Sequence, residues 1–161
     1  MKSAIRKGLG FGMTSGIITT LGLMVGLSRG THSVPVVVAG IAVIAVTDAL
    51  ADAFAIFMAD EAERNSEKSK WQEALSAFAA KFSAGALLAL PFFFLLMNQA
   101  IIASITLGLI LILILTYFIA KSERRPVLKI MFGHLLVAVL VIVIGGLVGQ
   151  WADSLKENPR F

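Results

Sequence analysis

Val43 to Met58 reads VIAVTDALADAFAIFM, and the fold turns on how this stretch is read. It is apolar enough to cross a bilayer, yet it carries Asp48 and Asp52. Residues four apart on a helix lie one turn apart on the same face. An ionised carboxylate in hydrocarbon costs several kcal/mol or more, so bare exposure to lipid is excluded. The two acids must face a protein interior, a water-filled cavity or a bound cation. Paired oxygen donors on one helix face suit a divalent metal or a proton relay.

The composition around this stretch agrees with a membrane setting. The chain has 161 residues, 58% of them hydrophobic, and no cysteine. Its mean hydropathy is +0.89. Its apolar runs are long and do not alternate, which predicts an all-α membrane protein rather than a barrel. A span needs roughly 20 residues, so about five spans use most of the chain. Disulfides and thiolate metal sites are excluded. No P-loop and no nucleophile–base arrangement can be read, so neither an enzyme nor an ATP-driven pump is expected. The net charge of +4 sits in short loops, where topology explains it without a nucleic-acid partner.

The expected organisation is a basic leader (residues 1–7), a five-helix membrane domain (8–152) and a polar tail (153–161). Nothing at the N-terminus reads as a cleaved signal. The first span, about Gly8 to Ser28, repeats small residues every four: Gly8, Gly12 and Gly16, then Gly22 and Gly26. That spacing lets helices approach closely. Thr14, Ser15, Thr19 and Thr20 lie among them, either bonding back to the helix or lining a pore. His32, in the turn after this span, reads as a solvated loop residue. The second span covers about Val36 to Met58. A charged loop (59–75) follows, a solvated helical extension whose Asp60, Glu61 and Glu63 can alternatively form an acidic mouth that attracts cations. The third span, Phe78 to Met97, contains Pro91, which should kink or break it. Lys81, at its start, is expected to snorkel to the surface. This leaves no basic residue inside a span to pair with Asp48 and Asp52. Asn98 and Gln99 are expected to form a tight turn. The fourth span, Ile101 to Ala120, is nearly pure aliphatic and should face lipid. The fifth covers about Ile130 to Trp151, with His134 as a hydrogen-bonded structural residue. Eleven of the fourteen basic residues fall on one side, which predicts a cytoplasmic N-terminus and an outside C-terminus.

These residues resemble a known family. Phe11 to Leu27 (FGMTSGIITTLGLMVGL) is similar to the first span of the vacuolar iron transporters, roughly G-x-N-D-G-L-V-S-T-L-G-L-x-x-G. Gly12, Gly16, Thr20, Leu21, Gly22, Leu23 and Gly26 match. Ala45 to Ala53 (AVTDALADA) aligns with the family's A-L-S-M-A-A-G-E-Y. The resemblance implies a homodimer in the bilayer, with the first two spans lining a path at the two-fold axis. It implies Fe2+ or Mn2+ as substrate, leaving the cytosol in exchange for protons, and no resident cofactor. The chain departs from the family at three site positions. The family's first-span Asp falls on Ser15, its second-span Met on Asp48 and its Glu on Asp52. The implied metal set is therefore Asp48 and Asp52, with Ser15 and Thr14 as weaker oxygen donors. Exchanging a thioether for a carboxylate favours harder ions such as Mn2+, Fe2+, Mg2+ or Ca2+. The long metal-binding domain that many members carry after the second span is missing.

Three other readings compete with this one. The chain can be a proton-coupled exporter of organic cations, with the acids binding an ammonium group beside Phe54, Phe57, Phe92, Phe93 or Phe94. It can be a non-transporting membrane scaffold whose glycine faces serve helix association. Asp48 and Asp52 can also be structural, bonding hydroxyls or backbone across a helix interface.

Overall fold

The computed structural model describes residues 2–122 and 125–157; the side chains of Lys2 and Glu157 are left aside. Its elements are α1 (Lys2–Thr31), α2 (Val34–Ala62), α3 (Glu67–Ala89), a single turn α4 (Pro91–Phe94), α5 (Met97–Ser122) and α6 (Val127–Ser154). A short 3-10 turn (Leu155–Glu157) follows α6. Among the described residues there is no strand. Five helices are long and apolar enough to cross a membrane, as an integral multi-pass protein requires.

Helix α1 is the hub, touching α2, α3, α5 and α6. Its glycines explain how. A Cβ at Gly8 would lie 2.2 Å from the carbonyl oxygen of Glu73, and one at Gly12 2.2 Å from that of Ala77. Higher up, a Cβ on Gly145 would lie 2.4 Å from Gly22 O, and one on Gly149 2.3 Å from Gly26 O. The lower glycines thus seat α1 against α3 and the upper ones seat it against α6, backbone on backbone. Both contacts advance in the same direction along the two partners, so α1, α3 and α6 run parallel. The buried core between the helices includes Ile17, Leu21, Met24, Ile41, Leu88 and Ile112.

Helix α5 faces lipid on only part of its surface. Ala100, Ser104, Gly108, Ile112, Thr116 and Ala120 form a buried stripe at four-residue spacing. Small and hydroxyl-bearing residues on that stripe turn it inward, and the large aliphatics between them face out. Helix α6 is the most exposed span.

The reversal before α5 falls earlier than the sequence suggests. Pro91 marks the expected local break: α3 closes at Ala89, and α4 follows after Leu90, which keeps helical dihedral angles. Proline has no N–H for the helix ladder, so Leu90 N closes the helix on Leu87 O at 3.3 Å. Ser104 Oγ donates to Leu88 O at 2.8 Å just before this break. The chain turns at Leu95 and Leu96, and Asn98 and Gln99 lie within α5. At the other end α2 and α3 both run into the charged segment, and residues 63–66 make the turn. Ser66 caps α3, accepting from Ser69 N at 3.4 Å.

Candidate functional site

The early start of α3 moves Lys81 from a helix end to a helix middle. It lies more than three turns after Glu67 and is 3% exposed, so it does not snorkel. Its side chain runs between α1 and α2 because small residues leave room there. A Cβ on Gly16 would sit 3.0 Å from Lys81 Cα and Cγ, and a Cβ on Gly85 would sit 2.9 Å from Ala45 Cβ. Ala45 and Ala49 are buried on α2, on the same side as the two acids.

The result is a four-residue cluster. Lys81 Nζ lies 2.5 Å from Asp48 Oδ2 and also donates to Asp52 Oδ2. It donates to Ser15 Oγ at 3.0 Å, and Ser15 Oγ in turn donates to Asp52 Oδ2 at 2.9 Å. Asp48 Oδ2 is buried and makes no hydrogen bond; the charge of Lys81 alone holds it. The pairing of Asp48 and Asp52 with a lysine inside the membrane region overturns the expectation that no basic residue is available there. The acid side chains remain partly open, at 31% and 24% exposure.

Two carboxylates that share one ammonium leave a net negative charge when all three are ionised. A buried ion pair is held together by mutual attraction set against a large desolvation cost. The cluster holds one carboxylate more than it holds ammonium groups. Ser15, through its hydrogen bond, fixes the orientation of Asp52.

The remaining sequence candidates are spread more widely. Thr14 lines a neighbouring cavity with Ser15 and is not in the cluster. Asp60 is buried; its Oδ1 accepts from Asn65 Nδ2 at 2.9 Å, and its Oδ2 has no hydrogen-bond partner. Glu61 is tied to Lys70 at 3.0 Å, with Glu67 on the same ammonium at 2.7 Å. Glu63 is exposed and touches Asn65 at 3.3 Å. Asn65 thus joins Asp60 to Glu63, while Glu61 turns to Lys70. His32 is exposed, with Nε2 3.3 Å from Asp153 Oδ2. His134 Nδ1 is 3.1 Å from Thr116 Oγ1, the hydrogen-bonded structural arrangement. Among the described residues, no three His, Cys, Asp or Glu side chains converge as a metal cage.

Lys81 is the site residue that the sequence reading misplaces. A signal for it exists: Ala77 and Gly85 lie four residues to either side, and Ala84 three. Lys81 therefore belongs to the small-residue stripe of its helix, which is the packed face. No protein family, curated protein or solved structure matches this chain.

Proposed function

We propose that this protein carries divalent cations across a membrane in exchange for protons, with Asp48 and Asp52 as the ion-binding acids. What supports the reading is one observation: Asp48 and Asp52 lie together and partly open inside the helix bundle, with one ammonium between two carboxylates. A lysine ammonium in that position is a built-in competitor for the substrate. A divalent ion that displaces it meets two carboxylates of matching charge, with Ser15 Oγ as a further oxygen. Hard divalent ions take six or more oxygen ligands, more than these three side chains supply. The reading therefore includes a homodimer in which a second copy completes the shell, as the resemblance to the iron transporters implies. Coupling follows from competition, because the positive charge that neutralises the acids must leave as the metal enters.

A second reading has its own observation. A groove of about 370 Å3 between α2 and α3 is lined by Leu50, Phe54, Phe57, Trp71, Leu75 and Phe78. An apolar, aromatic groove on the helix that bears the acids suits an organic cation.

Flux in proteoliposomes tests both. Vesicles carrying a metal-quenched dye and a pH dye are challenged with Fe2+, Mn2+ or a lipophilic ammonium compound. The metal reading expects saturable Fe2+ or Mn2+ uptake with opposite proton movement, abolished in Asp48→Asn and Asp52→Asn. Metal flux equal to that of empty liposomes, from folded protein, eliminates it. Proton movement driven only by the ammonium compound selects the second reading.

A further inference from the structure

We propose that a cavity at the α1 N-terminal end of the bundle binds a phosphate group. The cavity has a volume of about 530 Å3 and is walled by α1, the end of α5 and the start of α6. This lies within the range of small-molecule sites. Arg6 and Lys7 line it from α1, and Arg125 lines it from the segment before α6. No carboxylate lines it among the described residues.

Three cations around one concavity raise its positive potential far more than the same charges on a convex surface. Loop arginines and lysines can set topology wherever they point, so their convergence here is a separate fact. Arg6 Nη1 donates to Ser122 Oγ at 3.3 Å, which holds the guanidinium between α1 and α5. Helix α6 begins two residues beyond Arg125 and has no side-chain cap, so its free amides add positive potential at the same end. Deeper in, Thr14 adds a hydroxyl, and Ser15 and His134 form part of the wall. Guanidinium forks, hydroxyls and a helix start are the groups that recognise phosphate oxygens. Arg6 and Arg125, which line the cavity from two different segments, carry the test.

The phosphate can belong to an anionic lipid headgroup or to a soluble compound; the chemistry of the cavity is the same for both. The proposal does not depend on which ion Asp48 and Asp52 carry, although Ser15 belongs both to the cavity wall and to their cluster.

The full chain, purified in detergent, is titrated with inorganic phosphate by calorimetry. In parallel it is exposed to phosphatidylglycerol or phosphatidylcholine and followed by native mass spectrometry. Saturable binding of inorganic phosphate supports a soluble ligand, and retention of phosphatidylglycerol over phosphatidylcholine supports a lipid headgroup. In either case the double variant Arg6→Gln, Arg125→Gln should weaken binding at least tenfold. Arg29→Gln, a charge change of the same kind at the far end of α1, should leave it unchanged. Thr14→Leu keeps every charge and fills the cavity, so it should weaken binding several-fold and serves if the double variant fails to fold. Absence of binding to all probes overturns the proposal. So does equal weakening by Arg29→Gln, or unchanged affinity in Thr14→Leu.

Discussion

Lys81 on α3 holds Asp48 on α2 with Nζ 2.5 Å from Oδ2, at a level where both helices are surrounded by apolar residues. The contact ties two spans together by charge, in a region where helix association otherwise depends on packing.

Removing the lysine alone should harm the protein more than removing the charge on both sides. Breaking a buried pair by deleting one partner costs about 3–5 kcal/mol; the partial exposure of the acids lowers this to about 2 kcal/mol. Lys81→Met should therefore lower the thermal midpoint in detergent by several degrees. Adding Asp48→Asn and Asp52→Asn to Lys81→Met should recover much of the loss. A triple variant less stable than Lys81→Met would show that the charges are not what links the helices.

Ser15 can be tested more gently. Its hydroxyl both receives from Lys81 and donates to Asp52. A hydrogen bond to a charged group contributes about 1.5–3 kcal/mol, and a partly open site sits at the low end. Ser15→Ala should cost roughly 1.5 kcal/mol of stability and should reduce metal-driven flux. Unaltered flux and unaltered unfolding together would remove Ser15 from the cluster's function.

The glycine contacts predict a contrast between two alanine substitutions. Gly12→Ala brings a methyl group to 2.2 Å from Ala77 O, which forces α1 and α3 apart. Overpacking of this kind costs about 1–3 kcal/mol. A Cβ on Gly133 would meet nothing within 4 Å, and alanine in a helix gains up to about 1 kcal/mol over glycine. Gly133→Ala should be neutral or stabilising by chemical unfolding. Equal loss in both variants would contradict the packing described for α1.

Ser104 supplies a local test of the helix break. Its buried hydroxyl caps Leu88 O just before Pro91. Ser104→Ala should cost about 1 kcal/mol, with faster amide exchange concentrated around residues 88–92. Exchange that rises uniformly along the chain would deny the local role.

The five spans are legible in the sequence because long apolar runs leave few alternatives in a bilayer. Boundaries are harder. The segment from Glu67 to Ala77 is too charged and too rich in small residues to read as membrane helix, yet it is the first half of α3. That single misreading places Lys81 at a surface. It also makes Asp48 and Asp52 look unpaired, although their shared face is plain from the four-residue spacing. The turn at Leu95 and Leu96 is hidden because two leucines read as span, while Asn98 and Gln99 read as loop. Asp60 and Glu61 look like one group because they are neighbours in sequence, but adjacent residues on a helix point in different directions. One is buried against Asn65 and the other is tied to Lys70.

The central place of α1 has a consequence for biosynthesis. It is the least hydrophobic of the five spans, with a mean hydropathy of 1.5 against 1.6 to 2.7 for the others. Its upper glycines find their seat on α6, against Val141, Gly145 and Gly149, and α6 is the last of the five to be made. Through most of their synthesis, then, the helix made before the other four waits with its α6-facing glycines uncovered. A ribosome stalled before α6 would release a chain with four inserted helices and no settled hub, a natural substrate for membrane quality control.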